Sequence, residues 1–108
     1  MKNTSLLKIL ADSSFPLGKV VIHPNDGADL NLFQLNYPVK IYHSINLNQF
    51  REASGFNSTL EFLPGDLTLS NNCKPGTVEL PQKLCLLLKS PKNAVLVYDE
   101  GRLLLAVK

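Results

Sequence analysis

A β-rich α+β domain is the fold this sequence predicts: a small, partly open barrel or a strongly bent sheet with two or three short helices. Three observations carry that expectation. Apolar runs are short and alternate with polar residues, as half-buried strands do. Two Pro-Gly pairs, Pro64-Gly65 and Pro75-Gly76, punctuate such runs. They suit the central positions of type II turns, because proline sets φ and glycine supplies φ > 0. The closing stretch NAVLVYDEGRLLLAVK, residues 93–108, sets two apolar runs around a three-residue polar break, the pattern of a hairpin.

Taken in order, SLLKILADSS follows a Thr4/Ser5 cap with Leu6, Leu7, Ile9 and Leu10 and reads as a short helix. GKVVIH, from Gly18, is β-branched and reads as a strand, followed by the turn-rich PNDGAD, residues 24–29. LNLFQLN is ambiguous between strand and helical turn. YPVKIY, residues 37–42, is a strand whose Pro38 sets its start near an edge. NLNQFREASG reads as a helix capped by Asn46 or Asn48, with Phe50 and Ala53 facing inward and Gly55 ending it. TLEFLPGDLTLS is two runs about Pro64-Gly65, and CKPGTVELP turns at Pro75-Gly76 into another strand. PQKLCLLLKS is a helix or a strand; the helix is favoured by its leucines and lysines, with Pro81 at the first position and Leu84, Leu87 and Leu88 on one face. In the last hairpin Gly101 takes the left-handed place of a three-residue loop. Both faces of that hairpin are apolar, so both must be covered.

The chain has 108 residues, 44% hydrophobic and 19% charged, which fits one globular domain rather than a disordered segment. No linker or low-complexity tract divides it. The N-terminal apolar core is too short for a signal peptide and no run reaches spanning length. A soluble, cytoplasmic protein without a membrane partner is expected. Cys73 and Cys85 lie twelve apart, which matches no zinc or redox spacing, so two reduced thiols are expected. Net charge is +2 but uneven: residues 1–66 carry five basic and six acidic side chains, residues 67–108 six basic and three acidic. That excess favours an anionic partner without forming a dense basic stripe.

An internal echo links residues 18–42 and 76–98. Each has a glycine, a short β run, a proline, a leucine-rich middle and a β run ending in tyrosine. The second copy continues into the hairpin, and Gly76, Val78, Leu80, Pro81, Leu84, Leu88, Val95, Val97, Gly101, Leu103 and Leu105 follow a pattern of glycine, strand, short leucine-bearing helix and hairpin. Over these 33 of 108 residues the chain resembles the AbrB-like swapped-hairpin family of bacterial transition-state regulators and antitoxins. The resemblance implies two chains that exchange hairpins to close one barrel, and contact with DNA. Where that family often has a basic residue after its first glycine, Thr77 stands here, and Lys19 holds the place in the first echo.

Catalytic constellations are sparse. His23, Asp26 and Asp29 share a turn-rich segment, His43 adjoins Ser44, and Asp99 adjoins Glu100. Turn formation accounts for each more simply than acid–base or metal chemistry, and no glycine pattern forms a phosphate loop. The functional expectation is therefore non-enzymatic, with no cofactor and no metal: a small binding module that acts by self-association and macromolecular contact, such as a DNA-binding transcriptional regulator. A protein-interaction or assembly subunit without nucleic acid is the alternative. On the first reading Lys19, Lys74, Lys83, Lys89 and Lys92 are the candidate phosphate contacts. In either reading Val95, Val97, Leu103, Leu104, Leu105 and Val107 are candidates for self-association into a homodimer or higher oligomer, since an uncovered apolar edge invites a partner.

Overall fold

A computed structural model describes residues 1–53 and 60–108. Eight strands and three helices follow in the order β1 (Lys2–Asn3), β2 (Leu7–Asp12), β3 (Lys19–Ile22), α1 (Pro24–Asp29), β4 (Asn36–His43), α2 (Leu47–Glu52), β5 (Leu63–Leu69), β6 (Thr77–Pro81), α3 (Gln82–Leu87), β7 (Asn93–Asp99) and β8 (Arg102–Val107). Seven strands close into a barrel in the order β2-β6-β3-β5-β4-β8-β7, with β7 returning to β2 and β1 extending the β7 seam. The α+β, β-rich fold is thus as expected, and the barrel is closed rather than open. Val20, Ile22, Ile41, Leu67, Val78, Leu80, Leu96, Leu103 and Leu105 fill its interior.

The barrel has two halves of the same element order. β2-β3-α1-β4 and β5-β6-α3-β7 align with a constant separation of 58 residues through their first three elements. Lys19 pairs with Asp66, and 58 further on Thr77 pairs with Lys8, 58 before Asp66. Val21 faces Glu79, its own counterpart, across the antiparallel β3–β6 seam. Asn31 (φ 61°) and Lys89 (φ 64°) take equivalent left-handed positions just past their helices. The last strands align differently: Pro38 faces Asp66 as Asn93 faces Lys8, a separation of 55. Tyr42 and Tyr98, which end the two sequence echoes, therefore are not counterparts. Tyr42 lies in the outer layer and Tyr98 against the barrel interior.

Several local expectations give way to tertiary pairing. Residues 7–12 form strand β2, not a helix: Leu7 is buried, Lys8 and Leu10 point out, and the strand runs parallel to β6. Thr4 is no helix cap; its buried hydroxyl accepts from the Leu96 amide and donates to the Ser5 carbonyl. PNDGAD forms α1, because Pro24 suits a first turn and the His23 ring caps it, Nδ1 accepting from the Asn25 amide at 3.0 Å. LNLFQLN is neither strand nor helix over residues 30–35, which form the α1–β4 connection, and its last residue, Asn36, opens β4. Pro64-Gly65 lies inside β5 rather than in a turn. Its glycine is there for space, since a Cβ on Gly65 would strike the Gly18 carbonyl and one on Gly18 the Pro64 carbonyl.

Other elements form as read. Pro75-Gly76 turns, with Gly76 at φ 81° and the Thr77 amide donating to the Lys74 carbonyl. α2 opens with a capping box between Asn46 and Gln49; the expected stop at Gly55 lies outside the described residues. α3 forms with Pro81 as cap rather than first residue, and Leu87 faces out instead of joining Leu84 and Leu88. Pro38 sits at the end of β4 where β8 has not yet begun to pair, so its missing amide leaves no ladder bond unmade. The closing loop has two residues, not three: Asp99 faces Arg102, and Glu100 and Gly101 both have positive φ (46° and 83°), as a type I′ turn requires.

Candidate functional site

The terminal hairpin, β7 and β8, meets its demand for cover in two ways. Ala94, Leu96, Leu103 and Leu105 face the barrel interior. Val95, Val97, Leu104 and Ala106 face outward, where Tyr42, Phe50 and Ala53 form a second, smaller cluster on them. Helix α2 brings Phe50 there, its ring edge-on to Tyr42 at 5.6 Å. Arg102 pins the helix down. Its Nη1 donates to the Phe50 carbonyl at 2.6 Å, its Nη2 to Asp99 at 2.6 Å, and its guanidinium lies 4.3 Å from the Phe50 ring centroid. A cation on a carbonyl in the last turn of a helix satisfies an acceptor that the helix leaves open.

One chain therefore covers most of what the sequence assigned to a partner. Leu103, Leu104 and Leu105 are all within 1% of complete burial, Val97 is buried, and only Val95 and Val107 of the six candidates remain accessible. Hairpin exchange is not needed to close this barrel, because β8 pairs with β4 of its own chain. The cover stops short, however. Ser44 takes a left-handed φ of 61° and turns the chain off β4 into the α2 cap. Beyond that point lies a cleft of about 570 Å³, lined by Val95 and Ala106 of the outer face, by the end of β8 at Val107, and by Met1, Ile45 and Leu47. The charged residues lining it, Arg51 and Lys108, are both basic.

The five candidate lysines do not gather. Lys74 precedes β6 and Lys83 follows it, so they sit at opposite ends of that strand. The Lys19 ammonium lies 4.5 Å from the Phe15 ring centroid and its strand neighbour is Asp66. Lys89 and Lys92 stand in the α3–β7 connection, and Lys92 is placed beside β2 by the Ile9 amide donating to its carbonyl. The structure does bring Lys8, which the sequence reading passed over, next to Thr77 and Asn93.

The titratable clusters are occupied structurally. Asp26 is buried and accepts from the Gly76 amide at 2.9 Å, tying α1 to the β6 turn. His23 Nδ1 serves the α1 cap, and among the described residues no group of three metal-ligating side chains converges. His43 Nδ1 lies 3.0 Å from Ser44 Oγ, without a carboxylate to orient the ring among the described residues. Both cysteines are free and buried. Burial, and then the hydrogen bond and charge of Glu79, push the Cys73 thiol up to about 12, and burial raises Cys85 as well. Neither thiol has the thiolate character of a nucleophile. No helix among the described residues is long and apolar enough to cross a membrane.

Sequence reasoning passed over the Arg102 pin and the α1–β4 connection. That connection holds Phe33 and Leu35, the two most exposed large apolar side chains among the described residues at 75% and 74%. The available signal was Tyr37, four residues after Phe33, whose hydroxyl accepts from the Phe33 and Gln34 amides at 3.0 and 2.9 Å. No family model, curated protein or solved structure matches the chain.

Proposed function

We propose that this chain is a small non-enzymatic protein-interaction module that docks an apolar protein segment in the cleft beside β8. The observation that carries this reading is the half-clad hairpin: α2 covers Val97 and Leu104, while the partly buried Val95 and Ala106 and the end of β8 at Val107 line a cleft. At about 570 Å³ it falls within the roughly 300–1,000 Å³ of typical binding pockets, and an apolar floor with a polar rim is the usual anatomy of a protein interface. The dispersal of Lys19, Lys74, Lys83, Lys89 and Lys92 over both ends of the barrel supports this reading over a DNA-binding regulator, since phosphate contacts work as a contiguous set.

Two measurements test the proposal. Displayed peptides selected on the wild-type protein should bind it and lose binding to Ala106→Asp, while Lys83→Glu leaves them unaffected. In parallel, duplex DNA titrated at low salt should show no binding that depends on the five lysines. Selected peptides indifferent to Ala106→Asp, or salt-dependent DNA binding lost on replacing those lysines, would restore the regulator reading.

A further inference from the structure

Resting on the docking reading above, we infer that the cleft's occupant is a second copy of this chain, which inserts its own Phe33–Leu35 loop.

The loop is built to be presented. Leu32 is buried beneath it, the Leu69 amide donates to the Leu35 carbonyl at 2.9 Å, and the Tyr37 hydroxyl holds the Phe33 and Gln34 amides. Tyr37 is itself set edge-on to Tyr98 at 6.4 Å. A loop fixed from both sides that exposes an aromatic and a leucine loses little freedom on binding, the property that makes an interface anchor. The counterpart connection, from α3 to β7, is three residues shorter by strand register and ends in Lys92 where this one has Tyr37. The prong thus belongs to one half only.

Prong and cleft match in chemistry. Both are apolar. From Pro24 to Val39 the charged residues are Asp26 and Asp29; Asp26 is buried and Asp29 is exposed. The charged side chains lining the cleft are Arg51 and Lys108, the complementary sign. A chain cannot fill its own cleft with its own prong. The prong leads into Asn36 at the start of β4 and the cleft opens past His43 at its end, about 25 Å apart for eight residues at about 3.3 Å each. The contact is therefore between copies: prongs and clefts either pair reciprocally about a two-fold axis and close a dimer, or pair head to tail into rings or open chains.

Sedimentation velocity of the wild type from about 1 µM to about 1 mM, the range of weak interfaces, should show self-association, with a plateau at dimer if the insertion is reciprocal and growth past dimer if it runs head to tail. Phe33→Asp and Val107→Asp each replace an exposed side chain, so both variants should keep the wild-type thermal transition and sediment as monomers. Either should weaken association at least about tenfold, as loss of a buried anchor does. Mixed together they should form a one-to-one dimer and nothing larger, because one retains its cleft and the other its prong. Asp29→Lys should weaken assembly less, and added salt should mimic it. A wild type that stays monomeric over the range overturns the inference, as does assembly indifferent to Phe33→Asp, or a mixture that stays monomeric. If self-association fails while selected peptides still need Ala106, the docking reading stands with another protein as occupant. If both fail, the docking reading falls too.

Discussion

The two faces of the terminal hairpin carry nearly the same residues and live in different surroundings. Leu103 and Leu105 lie within a wall of hydrogen-bonded strands whose interior also takes Leu30 and Leu32, and Leu84 and Leu88 of α3 and its cap. Leu104 instead lies under the six-residue helix α2 with Tyr42, Phe50 and Ala53, and Arg102 bonds that helix. Burial is nearly complete at all three, so burial alone does not tell them apart. What differs is how cheaply the cover can move. The barrel interior cannot open without breaking ladders, but α2 can lift and leave the barrel closed.

That difference can be broken or sharpened by substitution. The largest effect is expected for Leu103→Ala, which leaves a cavity among residues that cannot collapse; it should cost about 2–5 kcal/mol in urea unfolding. Leu104→Ala should fall at the low end of that range, about 2–3 kcal/mol, because α2 can settle into the space. Equal losses would mean that α2 is as rigid as a strand. Arg102→Met should come next, at about 1–2 kcal/mol for the bonds to Phe50 and Asp99. Its signature should be faster hydrogen exchange confined to α2, with β7 and β8 still protected.

A last effect, absent at neutral pH, lies outside the hairpin at the Cys73 thiol, beside the Val21 and Thr77 carbonyls. Cys73 has its thiol raised to about 12 against 9 in the unfolded chain, so the folded state holds a proton that the unfolded state releases. Stability from this group is complete below pH 9 and is lost as pH rises from 9 towards 12. Cys73→Ala should flatten that alkaline decline, and alkylation of both thiols at pH 8 should be slow until the protein is unfolded. Rapid modification of Cys73 in the native protein would show that the β5–β6 connection opens readily.

Much of the barrel was legible because its strands alternate, and α2 because Asn46 and Gln49 write a cap in local code. What escaped notice was settled at a distance. Leu7 and Ile9 read as helix until β6 supplies a parallel neighbour 69 residues away (Ile9 to Val78). Pro64-Gly65 reads as a turn because the same dipeptide serves a turn and a place where two backbones cross at Gly18. The hairpin's need for cover was plain from its two apolar faces, but not that α2 would supply half of it, since Phe50 and Arg102 meet only after 52 residues of separation. Lys74 and Lys83 are nine residues apart in sequence but stand at opposite ends of β6, a separation the sequence does not show.

The seam between β4 and β8 joins residues about 60 apart, as Lys40 to Arg102, and the strand that completes it is the last of the eight to be made. Until β8 leaves the ribosome, β4 and β7 each present an unpaired edge, and the interior they border is already rich in leucine and valine. A chain of this topology waits for its final hairpin while being most prone to wrong partners, and its long-range pairings place it among the slower folders of its size. Its dependence on chaperones during synthesis should therefore exceed what the stability of the finished barrel suggests.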